Sequence, residues 1–200
     1  MPRRLSLLPI LFAALAFALL PLEAFSDEAP VESIVLVAKR NLQDKIYGST
    51  ILVAKPVGND RHVGFILNKP TQVTLGKLFP DHAASAKVPD PVYLGGPFGR
   101  EVIFALVHRR DSPGGRSVKI TPDLFLAFDS PIVDRIIETE PSQARFFAGL
   151  VVWQQGELHA ELKRGLWYVH DAKTDLLLKK QTDGMWEELV GRSERKANTI

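Results

Sequence analysis

The chain contains no cysteine. That excludes disulfides, thiol chemistry and thiolate metal sites, and leaves the folded state to rest on its core alone. It also lacks an excess of charge of either sign, with 25 basic and 23 acidic residues. A near-neutral surface gives no electrostatic reason to seek nucleic acid or an anionic membrane. Internal repeats, low-complexity segments and linkers are missing, so no second folded domain is expected. The familiar catalytic signatures are missing as well. No G-x-S-x-G occurs, and Ser85, Ser112 and Ser130 lie in loop or cap contexts that explain them. Gly95-Gly-Pro-Phe-Gly99 has no Lys-Ser or Lys-Thr after it to make a phosphate loop. His108-Arg-Arg-Asp111 lacks the Asn spacing and the glycine-rich loop of a kinase.

What is present begins with an export signal. Arg3 and Arg4 precede an apolar run from Leu5 to Leu20, and Ala24 and Ser26 hold small-residue cleavage positions. Residues 1–26 therefore read as a secretory signal peptide, with an uncleaved anchor as the alternative, and an exported, periplasmic or extracellular location follows from both. Once they are removed, Arg3, Arg4 and Glu23 are lost; 23 basic and 22 acidic residues remain, a net charge of +1. Residues 27–192 are expected to form one domain, with a hydrophobic content of 46% over the chain to build its core. The charged stretch 193–200 reads as a disordered tail.

The mature chain is organised around His62-Val-Gly-Phe-Ile-Leu-Asn-Lys-Pro70 and Pro91-Val-Tyr-Leu-Gly-Gly-Pro97. The first is a strand buried on both faces, or nearly so, which Pro70 brings to a stop. The second ends in a Gly95-Gly96 turn that lets another backbone come close. Strands at 33–38 and 49–54 precede them and predict an antiparallel meander. Further strands are expected at 102–107, 118–120, 124–128, 146–153 and 166–169. Helices are expected at 75–79 after a Thr74 cap, from Asp129 or Ser130 over Ile132, Val133, Ile136 and Ile137, at 156–164 with a left-handed Gly165 cap, and after Asp183. Strands dominate the first half and strand–helix alternation the second. The fold class is α+β, a sheet curled or closed around a core.

Five histidines are available, yet none has metal-ligand spacing, so no metal is expected. His159 and Glu161 lie two apart on a helix and point away from each other. His170-Asp171 reads as a structural pair. His62 and His108 sit at strand ends and could meet in space, so a hydrolase using one of them with Asp44 or Asp111 is the rival reading. Trp153, Trp167 and Trp186 could form an aromatic ligand surface, but their neighbours are apolar and core packing is the stronger reading. Asn68-Lys69 admits two readings: a cap on the sheet, or a small-anion or peptide-carboxylate site completed by the Gly95 and Gly96 amides.

Leu36-Val-Ala-Lys39, Leu42-Gln-Asp44, Gly64-Phe-Ile-Leu-Asn-Lys-Pro70, Thr74-Leu-Gly-Lys-Leu78 and Val92-Tyr-Leu-Gly-Gly-Pro97 together resemble the AlgH/YqgE family, in the same order. Phe147-Ala-Gly-Leu-Val-Val-Trp153, Gly156-Glu-Leu158 and Gly165-Leu-Trp167 extend the likeness across roughly residues 33–192. Val152 and Glu157 depart from the family's Gly and Gln. The resemblance implies an α+β fold with a barrel-like, largely antiparallel sheet and surrounding helices. It supplies no catalytic residues and no cofactor. The family's label of transcriptional regulator implies a cytoplasmic role, which the export signal opposes. The resulting expectation is an exported, non-enzymatic binding or regulatory protein, with an unidentified protein or small anionic ligand as partner. Asn68, Lys69, Gly95 and Gly96 are its candidate ligand residues.

The order of basic, apolar and small residues in the first 26 positions predicts cleavage near Ser26-Asp27. N-terminal sequencing of fractionated cells should find a mature chain outside the cytoplasm, and intact Met1 on a cytoplasmic pool would refute the export reading.

Overall fold

The structure, a computed structural model, describes residues 32–198. The expected signal peptide lies outside the described residues. The meander forms as expected, from β1 (Ile34–Ala38), β2 (Ile51–Pro56) and β3 (His62–Ile66), paired antiparallel in that order. A hairpin of β4 (Pro70–Thr74) and β5 (Pro91–Leu94) encloses the short helix α1 (Leu75–Leu78). Three strands follow: β6 (Phe98–His108), β7 (Ser117–Thr121) and β8 (Leu124–Ala127). Helix α2 (Ser130–Thr139) leads to β9 (Ala144–Trp153), α3 (Glu157–Lys163) and β10 (Trp167–Asp171). The described chain closes with α4 (Thr174–Leu178) and α5 (Met185–Ala197).

The sheet runs β10-β1-β2-β3-β9-β6-β8-β7, with the β4–β5 hairpin attached to β9. Among the described residues only β5 lies parallel to its neighbour β9; every other pairing is antiparallel. The path ends at β10 and β7, so the sheet curls into a half-barrel and does not close. Strand β9 is the common member. Along one edge it takes β6, and along the other it takes β5 in its middle and β3 at its end.

Both faces of the meander are covered, which is why its strands read as unbroken apolar runs rather than alternating ones. Val35, Val37, Ile51, Val53 and Phe65 pack toward Leu177 of α4 and Leu189 and Val190 of α5. Leu36, Ala38, Leu52, Ala54 and Ile66 pack toward Leu158 of α3, Trp153 and Trp167. The apolar face of α2, Ile132, Val133, Ile136 and Ile137, covers Ala105, Val107, Phe125 and Phe146.

The strand opening at His62 stops at Ile66, short of Pro70, and Pro70 itself opens β4, as a proline is tolerated at the first position of a strand. Three expectations are corrected. Thr74 and Asp129 occupy N-cap positions, yet neither side chain caps its helix. Asp129 instead accepts from the backbone and side chain of Arg116, at 2.6 Å each. Asp183 is one residue early, and the last helix starts from Gly184 in the left-handed region at φ 70°. The expected disordered tail is helical to Ala197, tied back by Arg40 to Glu194 at 3.0 Å and by His170 to Ser193 at 2.8 Å.

The largest fully buried side chain is charged. Arg145 on β9 is 1% exposed. Its Nη1 donates to the Leu177 carbonyl at 2.8 Å and its Nη2 to the Leu67 carbonyl at 2.6 Å. The guanidinium stacks on Tyr93 at 4.1 Å and on Phe147 at 5.1 Å. Burial lowers its pKa, opposed by the hydroxyl of Tyr93 and the charge of Asp90. Arg145→Met would keep much of the volume but leave both carbonyls buried and unpaired. We expect a loss on the order of 3 kcal/mol, read as a lower midpoint in urea denaturation. A variant as stable as the parent would show that the two bonds contribute nothing net.

Candidate functional site

Helix α3 connects the ends of β9 and β10 and carries a tryptophan-flanked stripe. Leu158 docks on the sheet, while Glu157, Ala160, Glu161 and Arg164 line a cleft. These fall at i, i+3, i+4 and i+7, one face of a helix. The helix ends in a Schellman turn: Gly165, at φ 68°, donates to the Leu162 carbonyl and Leu166 to the Glu161 carbonyl. That reversal brings Trp167, the first residue of β10, back beside the helix. Trp153, the last residue of β9, reaches it from the other side. Its ring lies across Gly64, where a Cβ would come within 2.8 Å of the indole. Any side chain at position 64 would displace Trp153.

Both indoles are buried and need an acceptor. Glu161 supplies it, its Oε2 receiving Trp167 Nε1 at 2.8 Å and Trp153 Nε1 at 3.2 Å. The other oxygen, Oε1, has no hydrogen-bond partner among the described residues. The carboxylate is therefore fixed in position and half-coordinated. Tyr47 enters from the β1–β2 loop, its pKa raised first by burial and then by the charges of Glu161, Asp44 and Glu157. Its phenol stays protonated and can donate. Glu157 is already engaged, its Oε2 accepting from Gln154 N at 2.7 Å. The cleft encloses about 530 Å³, and at its rim Phe98 is 55% exposed.

The residues singled out in the sequence surround this cleft as supports and do not converge on a ligand. Asn68, read as a cap on the sheet or as part of an anion site with Gly95 and Gly96, bridges the β1–β2 loop, accepting from Ile51 N at 2.8 Å and donating to the Ser49 carbonyl at 2.9 Å. Lys69 Nζ donates to the Ile46 carbonyl of the same loop, its pKa lowered by burial against the opposing pull of Asp44. Asp44 accepts from Tyr47 N at 2.8 Å and Ile46 N at 2.7 Å, and these bonds hold its pKa below the usual range. Three side chains thus shape the loop that delivers Tyr47. Gly95 donates to the Ala148 carbonyl at 2.8 Å and accepts from Ile66 N at 2.7 Å, so its amide is not open to an anion. A Cβ on Gly96 would overlap the Leu150 carbonyl and lie 2.7 Å from Val151 N. The close backbone approach expected of this turn is made against β9.

Among the described residues no hydrogen bond joins His62 or His108 to Asp44 or Asp111. His62 lies opposite Trp153 at one end of β9, while Val107, beside His108, lies opposite Ala144 at the other. That separation is roughly 30 Å at the rise of a strand. His108 pairs with Asp123 at 3.0 Å rather than Asp111, and His159 with Asp60 at 2.9 Å. His82 bonds Ser85 at 2.8 Å, but that serine is fully buried, closed to a substrate. Sequence reasoning missed Glu161, Tyr47 and Arg164. The signal for two of them was the Glu157, Glu161, Arg164 stripe between two tryptophans, which the comparison of Glu161 with His159 alone passed over.

The architecture is that of an α+β protein on a curled, largely antiparallel sheet, with an aromatic cleft containing a fixed carboxylate. The chain belongs to the AlgH-like family (DUF179), whose model matches residues 35–198. A UPF0301 protein of Chlorobaculum tepidum is 30% identical over 159 residues, covering 78% of this chain and 83% of that protein. One from Thermobifida fusca is 27% identical over 180 residues, covering 86% and 91%. The solution structure of AlgH from Pseudomonas aeruginosa superposes with a TM-score of 0.68 at 19% identity, over 84% of this chain and 92% of that one. A crystal structure from Corynebacterium diphtheriae gives 0.66 at 20% identity, over 82% and 88%. At these identities the two structures share the fold.

Because Asn68 ties β3 to the loop that carries Tyr47, Asn68→Leu would strand Ile51 N and the Ser49 carbonyl. The expected cost is about 1–3 kcal/mol, measured as a fall in thermal midpoint. An unchanged midpoint would remove Asn68 from the support of the loop.

Proposed function

We propose that this chain is a non-enzymatic binding protein acting outside the cytoplasm, and that its ligand places an ammonium group in the cleft between α3 and the ends of β9 and β10. One observation carries the reading: Glu161 lines the cleft with one carboxylate oxygen held by two indole N–H groups and the other without a hydrogen-bond partner among the described residues. A preorganised carboxylate walled by aromatic rings is a cation acceptor, since the charge gives direction and the rings favour an adjacent cation. The cleft has the size of a small-molecule site, for which about 300–1,000 Å³ is typical.

The compartment rests on the first 26 residues of the sequence. The hydrolase reading, one of His62 and His108 with Asp44 or Asp111, has no hydrogen bond joining either histidine to either carboxylate among the described residues. A transcriptional role gains nothing from a mature net charge of +1.

Trp153 and Trp167 provide the readout. The chain, purified as cells export it, would be titrated with phenethylammonium while tryptophan emission is followed. A saturable change is expected, weakened about tenfold or more in Glu161→Gln, which keeps a carbonyl oxygen for the indoles but removes the charge. Absence of a saturable change, or equal affinity in the variant, would overturn the proposal.

A further inference from the structure

We propose that the ligand is a free α-amino acid with an apolar or aromatic side chain, its ammonium on Glu161 and its carboxylate on Arg164; this rests on the cleft being the binding site. Arg164 follows Glu161 by three residues, so their Cβ atoms stand about 5–6 Å apart on one helix face. This is the spacing at which opposite charges pair, yet no ion pair forms between them. The indoles hold Glu161 instead, and the Arg164 side chain makes no hydrogen bond or ion pair among the described residues. Arg164 is exposed and lines the same cleft. One wall of the site therefore presents a negative and a positive group, neighbours that do not neutralise each other.

The electrostatics select among ligand classes. A simple cation gains Glu161 but faces the guanidinium of Arg164. A simple anion gains Arg164 but faces Glu161 and Glu157. A ligand carrying ammonium and carboxylate on one carbon satisfies both groups at once, and its compact dipole matches two charges one helical turn apart. Arg164 presents a planar fork suited to a carboxylate. The remaining walls, Tyr47, Phe98 and the two buried indoles, are apolar or aromatic and accept the side chain. The exposed ring of Phe98 then has an occupant to cover it.

Isothermal titration calorimetry on the exported chain, with L-phenylalanine, phenethylammonium and 3-phenylpropionate, separates the contributions. L-Phenylalanine is expected to bind at least tenfold more tightly than either ligand that lacks one of its charges. Arg164→Gln should bring L-phenylalanine down to the affinity of phenethylammonium, and Glu161→Gln should weaken both amines. If Arg164→Gln leaves L-phenylalanine binding intact while Glu161→Gln weakens it, the α-amino-acid assignment falls and the cation cleft stands. If Glu161→Gln changes neither amine, or the parent binds none of the three, both readings fall. Because Arg164 is exposed, its replacement is expected to leave the melting midpoint within a degree or two of the parent's, so that a change in affinity reports recognition rather than unfolding.

Discussion

A guanidinium that pairs with no carboxylate among the described residues holds the centre of this protein together. Arg145 is buried among Tyr93, Phe147 and two backbone carbonyls. A charge removed from water is costly unless oriented dipoles and aromatic faces replace the solvent. Here both replacements are present, drawn from segments that no local interaction would join. Leu67 lies at the end of the meander, Leu177 lies in α4, and Arg145 lies on the strand shared by both halves of the sheet. The three segments must be in place together for the charge to be satisfied, which gives the core a registration that hydrophobic packing alone does not impose. The Nε atom remains without a partner, so the arrangement is tolerated rather than saturated.

The second constraint is backbone proximity along β9. Gly95 and Gly96 lie against Gly149 and Leu150 so closely that any Cβ would overlap a carbonyl. This contact attaches the β4–β5 hairpin to β9 in parallel and sets the start of β6, from which Phe98 projects. Gly64 performs the same service at the far end, leaving room for the ring of Trp153. The glycines of the organising motifs thus act on the cleft at one remove, through the positions of the two aromatic residues that they admit.

The cleft consequently depends on side chains that never touch it. Asn68, Lys69 and Asp44 fold the β1–β2 loop around their own hydrogen bonds, and the loop presents Tyr47. Gly165 reverses α3 into β10 and presents Trp167. Glu161 then unites what the turns have delivered, its carboxylate accepting from both indoles. Each wall of the cleft is thus held by a different local device.

The sequence by itself determined the elements whose causes are local. Continuous β-branched runs announced the meander, the apolar periodicity of 132–137 announced α2, and Gly165 announced the end of α3. The need for a close approach at Gly95-Gly96 was also legible, because only glycine permits it. The residues matching the AlgH/YqgE pattern announced the fold class. Elements with weak local signals were not legible: α4 is five residues long, β4 begins on a proline, and α5 continues through a stretch that reads as a charged tail. The hydrogen-bond partners of the candidate residues were not legible for a similar reason. Asn68, Lys69, Gly95 and Gly96 stood out because their residue types are unusual at strand ends, and a hydrogen bond's partner cannot be read from the residue that makes it. Whether Asn68 would face Gly95 or Ser49 depended on the curl of the sheet. Whether Glu161 would pair with Arg164 or with the indoles flanking its own helix depended on where β9 ends and β10 begins. Those choices belong to the tertiary structure, because the placing of the strands settles them by geometry and burial, neither of which is written in the residue types alone.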